Sequence, residues 1–190
     1  MKIGIDVDDT ITNSWESLIP YYEKTFNVPR SILQKSKPYY ESVKDLITID
    51  EYFDAVLPIY DEVIPNVDIR PHVKETIDKL YELGDKVYFI TARGKGHTDP
   101  YKVTKDFLDK YHIRYEEIII NCGKKAEMCE ALGIKLFIDD SYKHCLAARN
   151  KGIDVLMTRK YYNQEYDDFP SFDDWDEVYE YVKSRWHDGK

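Results

Sequence analysis

Cysteine is scarce, at three residues in 190, and no two of them form a CxxC pair. Cys122, Cys129 and Cys145 are odd in number, which argues against a closed disulfide framework and leaves buried free thiols as the expected state. No apolar stretch approaches the ~18 residues that a membrane-spanning helix needs. The polar "DVDDT" interrupts the first apolar run after five residues, so no signal peptide is expected at the N-terminus. Basic charge is in deficit, with 27 Lys and Arg against 36 Asp and Glu and a formal net charge of −9. The basic residues are dispersed, and "GKK" at Gly123–Lys125 is too short to be a patch, so a nucleic-acid polymer is a poor partner. The expected compartment is a reducing cytoplasm.

What is present describes an ordinary globular protein. Hydrophobic residues make up 43% and charged residues 33%, which excludes a disordered chain. At this length one domain, or one domain with a smaller insertion, hides roughly 70% of the surface of the unfolded chain. Three joints repeat a helix–glycine–strand pattern: "YELGDKVYFIT", "EALGIKLFIDD" and "RNKGIDVLMT". A glycine just past a helix end is the usual left-handed C-cap. Apolar residues at helical spacing precede each joint: Val73, Ile77 and Leu80; Met128, Cys129 and Leu132; Tyr142, Cys145 and Leu146. Another helix carries Val103, Phe107 and Tyr111.

Strands are expected at Lys2–Ile5, Lys86–Ile90, Glu117–Ile120, Lys135–Ile138 and Asp154–Met157. Their alternation with helices indicates an α/β fold, a parallel sheet with helices on both faces. "FDDWDEVYEYVKSRW" closes the chain as an amphipathic helix, with Trp175, Val178, Tyr179, Val182 and Trp186 inward and acidic residues at its N-terminus. Residues 13–68 carry no strand candidate. They read as helices at Trp15–Phe26, near Ile32–Lys44 with a break at Pro38, and at Asp50–Ile64. This segment is rich in aromatics and, lying between the first two strands, is expected to project from the carboxyl edge of the sheet.

The residues that follow each strand form a pattern. The first strand delivers Asp6, Asp8 and Thr10; the second, "FITAR", Thr91 and Arg93; the third, Lys124 and Lys125; the fourth, "FIDD", Asp139 and Asp140. In an open parallel sheet, ligands bind in the crevice beyond these strand ends. Two carboxylates about 4 Å apart repel by on the order of 4 kcal/mol, so such crowding calls for a cation. A hard divalent ion such as Mg²⁺ takes oxygen ligands of this kind, from Asp6 and Asp139 first. Thr91 and Lys125 suit phosphate oxygens, Asp6 an in-line nucleophilic attack on phosphorus, and Asp8 general acid–base work. Lys125 rather than Lys124 is expected inward, since it opens the stripe through Met128, Cys129 and Leu132. Any one of these residues alone is an ordinary helix cap or loop residue. His97, in "GKGHT", reads as an incidental loop histidine near the crevice mouth, and that stretch is no P-loop.

"DVDDT", "FITAR", "KK" and "FIDD" resemble the four motifs of the haloacid dehalogenase superfamily of phosphotransferases, over Met1–Thr12 and about Ile69–Thr158. The resemblance implies a Rossmann-like core at 1–12 and 69–190, with a small inserted helical cap at 13–68. It implies Asp6 as nucleophile and Asp8 as acid–base, with Asp6, Asp8 (through its backbone carbonyl), Asp139 and Asp140 at Mg²⁺. Phosphate binding falls to Thr91, Ala92 and Lys125. Dehalogenating members lack the second Asp, so the presence of Asp8 implies a phosphatase. Asp9 departs from the pattern, because many relatives have Gly there.

The insertion, "ITARG" and the closing "DDWDEVYEYV" also resemble the cytosolic deoxyribonucleotidase (type C) branch and its bacterial relatives. That implies hydrolysis of nucleoside monophosphates, with cap aromatics against the base; Trp15, Tyr39, Tyr40 and Phe53 are the candidates. The expected partner is a small phosphomonoester, a nucleotide first, with no membrane; a homodimer stays open. A sugar-phosphate phosphatase, a non-catalytic relative that binds a phosphorylated ligand and a receiver domain are the alternatives. The receiver order is reversed relative to this chain, which places its acidic pair last.

Overall fold

The computed structural model describes residues 1–188. The chain starts in strand β1 (Lys2–Ile5) and then enters helices α1 (Ser14–Phe26), α2 (Arg30–Leu33) and α3 (Ile49–Val63). Short 3-10 turns lie at Tyr39–Ser42 and Ile64–Asn66. Helix α4 (Val73–Glu82) leads to β2 (Lys86–Ile90), and α5 (Pro100–Lys110) to β3 (Glu117–Ile119). Then come α6 (Lys125–Leu132), β4 (Leu136–Asp139), α7 (Tyr142–Asn150), β5 (Asp154–Thr158), β6 (Ser171–Phe172) and α8 (Trp175–Val182).

The six strands lie in the order β3-β2-β1-β4-β5-β6, all pairs parallel. This is a doubly wound Rossmann-type sheet whose order reverses beside β1, the place where such folds bind ligands. One face packs against α4, α5 and α8 through Ile3, Ile5, Phe89, Phe107, Ile77 and Trp175. The other packs against α6 and α7 through Ile90, Phe137, Cys129, Cys145 and Met157. Gly4 suits the close packing of that second face, where a Cβ would stand 3.2 Å from the Ile90 and Phe137 side chains. The expected glycine caps form, with positive φ at Gly84, Gly133 and Gly152.

Strand β6 is an addition to the five expected strands. Its two residues, paired with Met157 and Thr158, are too few to show any alternation in the sequence. The break at Pro38 is deeper than expected, leaving only α2 and a 3-10 turn in that stretch. Thr48 and Glu51 start α3 with a capping box, and Asp174 and Glu177 do the same for α8. The acidic cluster at 173–176 therefore includes a helix start.

The chain leaves and rejoins the sheet at one spot. Thr12 and Ile69 form an isolated antiparallel bridge, and the Arg70 N–H donates to the Ile11 carbonyl at 2.9 Å. The helical segment between them is not packed apart. Leu18, Tyr22 and Val56 belong to the same apolar cluster as Ile5 and Phe107. Helix α8 in turn buttresses the loop after β1, since the Trp175 indole donates to the Thr10 carbonyl at 3.2 Å. Among the described residues no helix is long and apolar enough to cross a membrane.

Candidate active site

Adjacent strands β1 and β4 bring their terminal carboxylates together. The Asp6 N–H donates to the Ile138 carbonyl at 2.9 Å, which extends the pairing to the strand end and sets Asp6 beside Asp139. Both are buried, and one oxygen each from Asp6, Asp139 and Asp140 lies within 4.8 Å of the others. Lys125, at the first residue of α6 and only 3% exposed, reaches between them. Its Nζ stands 2.6 Å from Asp6 Oδ1 and 2.8 Å from Asp139 Oδ2. Lys124 is exposed on the preceding turn. The apolar stripe thus separates the two lysines as the sequence indicates, because a buried ammonium needs carboxylates and Lys125 has two.

Electrostatics differ among the four carboxylates. Burial pushes Asp6 up to about 7 against the pull of Lys125. Burial also opposes charge on Asp139, but Lys125 and then His144 outweigh it and hold that carboxyl well below its usual range. Asp140 is pushed well up by burial and by Asp139. Burial works against charge on Asp8 as well, yet the Arg93 guanidinium prevails and lowers it to about 2. Arg93 grips both Asp8 oxygens, Nε to Oδ2 at 2.8 Å and Nη2 to Oδ1 at 2.7 Å, and Ser14 adds a third hydrogen bond.

The crowded trio tests the metal expectation. Three buried carboxylates crowd together, Lys125 pairs with only two of them, and the donors are all hard oxygens. That donor set fits a divalent ion such as Mg²⁺. The Asp8 side chain is held by Arg93 and Ser14 and is not part of the trio.

Asp9 takes a left-handed φ of 59°, a conformation that favours glycine. Hydrogen bonds hold it there: its carboxylate accepts from the Trp15 N–H at 3.0 Å and from the Tyr39 hydroxyl at 2.5 Å. It thereby caps α1, whose own N-cap residue Asn13 makes no side-chain cap, and ties Tyr39 to the loop after β1.

Above these groups opens a cavity of about 720 Å³. Asp6, Asp8, Thr91, Ala92, Lys125 and Asp140 line it. Tyr39, Tyr40 and Phe53 line the same cavity, so three of the four expected cap aromatics reach it. Trp15 does not. Its ring is 1% exposed, packed edge-on against Tyr22 at 4.9 Å and 5.6 Å from Tyr39, with its indole N–H donated to the Tyr161 hydroxyl. The α1 stripe that carries Leu18 and Tyr22 carries Trp15 into the core with them.

Several lining residues escape the sequence. Tyr52 and Tyr60 join Tyr22 in a triangle of hydroxyls 2.6–2.8 Å apart. Tyr162 donates to Asp140 Oδ2 at 2.6 Å, and Asn163 Nδ2 to the Asp140 carbonyl at 2.8 Å. Nothing in the spacing of "RKYYNQ" marks these two. His97 is 7% exposed and lines the cavity instead of sitting loosely at its mouth. Arg93 had a signal in "FITAR", two residues past Thr91, but its partner Asp8 lies 85 positions away.

The profile of the family described as "5' nucleotidase, deoxy (Pyrimidine), cytosolic type C protein" matches residues 1–186. A candidate nucleotidase of Oceanobacillus iheyensis is 26% identical over 186 residues, covering 92% of this chain and 95% of its own. The class B acid phosphatase of Salmonella typhimurium is 25% identical, over 90% of this chain and 67% of its own. Among solved structures, a haloacid dehalogenase-like hydrolase from Streptococcus pneumoniae superposes with a TM-score of 0.69 at 18% identity, covering 95% of this chain and 97% of that one. A predicted phosphatase from Clostridium acetobutylicum gives 0.74 at 15% identity, covering 96% and 98%.

Proposed function

Because the chain belongs to the cytosolic type C 5'-nucleotidase family of haloacid dehalogenase-like hydrolases, we propose that it dephosphorylates nucleoside monophosphates, deoxy forms foremost, through a phosphorylated Asp6. It is a phosphomonoester hydrolase. One observation carries the finer reading: the buried Asp6, Lys125 and Asp140 group opens into the same cavity as Tyr39, Tyr40, Tyr52 and Phe53. A phosphate at the first set leaves room for a flat base at the second.

Each residue then has a task. Thr91 and Lys125 hold phosphate oxygens, and the main chain at Ala92 flanks them. Asp6 Oδ attacks phosphorus in line as the ester oxygen leaves. Asp8 protonates that alkoxide. Arg93 keeps Asp8 ionised in the free protein, but an arriving dianion repels that charge and competes for the guanidinium, which raises the proton affinity of Asp8. In the second half-reaction the ionised Asp8 accepts a proton from the water that releases phosphate from Asp6. When bound at Asp6, Asp139, Asp140 and the Asp8 carbonyl, Mg²⁺ supplies the positive charge that lets a phosphate approach a carboxylate.

A phosphomonoester panel with and without Mg²⁺ tests this. Aryl phosphate hydrolysis is expected to stop in EDTA and return with Mg²⁺; activity that survives rigorous chelation sinks the metal role. Deoxynucleoside monophosphates should exceed sugar phosphates in kcat/KM by about tenfold to a hundredfold, since stacking contributes on the order of 1–3 kcal/mol per base. Equal efficiency on deoxyribose 5-phosphate and its nucleotides would favour the sugar-phosphate alternative.

A further inference from the structure

His97 lines the cavity together with Asp6, Asp8 and the tyrosines. Its ring centroid is 5.4 Å from that of Tyr60 on α3, and the glycine before it is what lets them meet. A Cβ on Gly96 would stand 2.7 Å from the Tyr60 ring. The ring also feels the charges of Arg93 and of Asp8, the acid–base residue that Arg93 holds. A leaving group that runs from a phosphate at Asp6 to a base among the tyrosines passes this histidine with its middle part. In a nucleotide the middle part is the sugar.

The two ring nitrogens are not equivalent. Nδ1 is sealed from solvent and has no hydrogen-bond partner among the described residues. It faces Asp61 Oδ1 at 3.6 Å, too long for a hydrogen bond but close enough to set a tautomer. A lone pair pointed at a carboxylate is repelled, and an N–H is attracted, so the proton belongs on Nδ1. Asp61 is itself fixed by the Thr98 hydroxyl and N–H, which ties α3 to this loop. Burial, followed by Arg93, lowers the pKa of the ring and keeps it neutral at neutral pH. With the proton on Nδ1, Nε2 is left as the acceptor of a ring that lines the cavity. An acceptor enclosed in a pocket selects for a donor on its ligand, because leaving it unpaired costs free energy.

We propose that His97 is a specificity-determining residue whose Nε2 accepts a hydrogen bond from a sugar hydroxyl of the leaving nucleoside. The proposal rests on the nucleotidase reading and deepens it. It goes beyond aromatic contact with a base, since it assigns recognition of the part between base and phosphate.

The test compares kcat/KM for a 2'-deoxynucleoside 5'-monophosphate and its 2',3'-dideoxy counterpart, which differ by one hydroxyl. The wild type should prefer the first by about five- to tenfold, the value of one neutral hydrogen bond. In His97→Phe, which keeps a ring but has no acceptor, the ratio should fall to within about twofold of one. His97→Gln, whose amide oxygen can accept, should recover part of it. A merely structural role lowers both substrates alike and leaves the ratio where it was, which overturns the proposal. A wild-type ratio near one also overturns it, whatever the variants do. If nucleotides are turned over no better than sugar phosphates, the nucleotidase reading fails first and takes the proposal with it. A clear nucleotide preference with a ratio unmoved by His97→Phe overturns the proposal alone.

Discussion

Asp6→Asn abolishes turnover while leaving the fold intact, by our expectation. An amide cannot attack phosphorus as a carboxylate does, so no acyl phosphate forms and the loss is on the order of 10⁴-fold or more. The substitution is isosteric, and its effect on folding is small for a reason visible in the site. Asp6 is buried and its pKa is already pushed up to about 7, so its charge is costly to hold. Lys125 keeps Asp139 as a partner at 2.8 Å when Asp6 turns neutral. Steady-state hydrolysis of an aryl phosphate, paired with a thermal melt, checks both halves. Asp8→Asn behaves differently: activated esters should still phosphorylate Asp6, with slow release visible as a burst. Near-normal rates from a well-folded Asp6→Asn protein would remove the nucleophile assignment.

Lys125→Ala should cost at least about 10²-fold in kcat/KM, and Lys124→Ala less than about fivefold. A charge-assisted contact to phosphate in a water-poor pocket is worth ~2–4 kcal/mol, which sets the first figure. Stability should follow the same ranking. Lys125 is the cation between buried Asp6 and Asp139, and removing one partner of such a group typically costs about 3–5 kcal/mol. For a chain of this size that lowers Tm by on the order of 10 °C. Because Mg²⁺ brings positive charge to the same carboxylates, adding it should recover part of the melting temperature but little of the rate. Lys124 is exposed and precedes α6, so neither readout should move. A reversed ranking in kcat/KM would transfer the phosphate contact to Lys124.

Much of this protein is legible in the chain because its chemistry rides on regular elements. Short apolar runs and helix–glycine–strand joints identify five of the six strands, and the residues just past them define the crevice. Asp6, Thr91, Lys125, Asp139 and Asp140 owe their places to strand ends and one helix start, which local pattern reveals. The helical nature of residues 13–68 and their insertion between β1 and β2 are likewise legible, since that stretch lacks any strand pattern.

Tertiary structure decided what pairs with what. Arg93 holding Asp8, Tyr162 holding Asp140 and Tyr39 holding Asp9 join positions 85, 22 and 30 residues apart. No periodicity encodes such pairs, because they depend on how separate elements dock. The same docking turned Trp15 into the core and brought Tyr52, Tyr60 and His97 to the cavity wall. A side chain's type states what it can do. Its face on a packed element states whether it touches a ligand, and that face is set by the neighbours it must exclude from water.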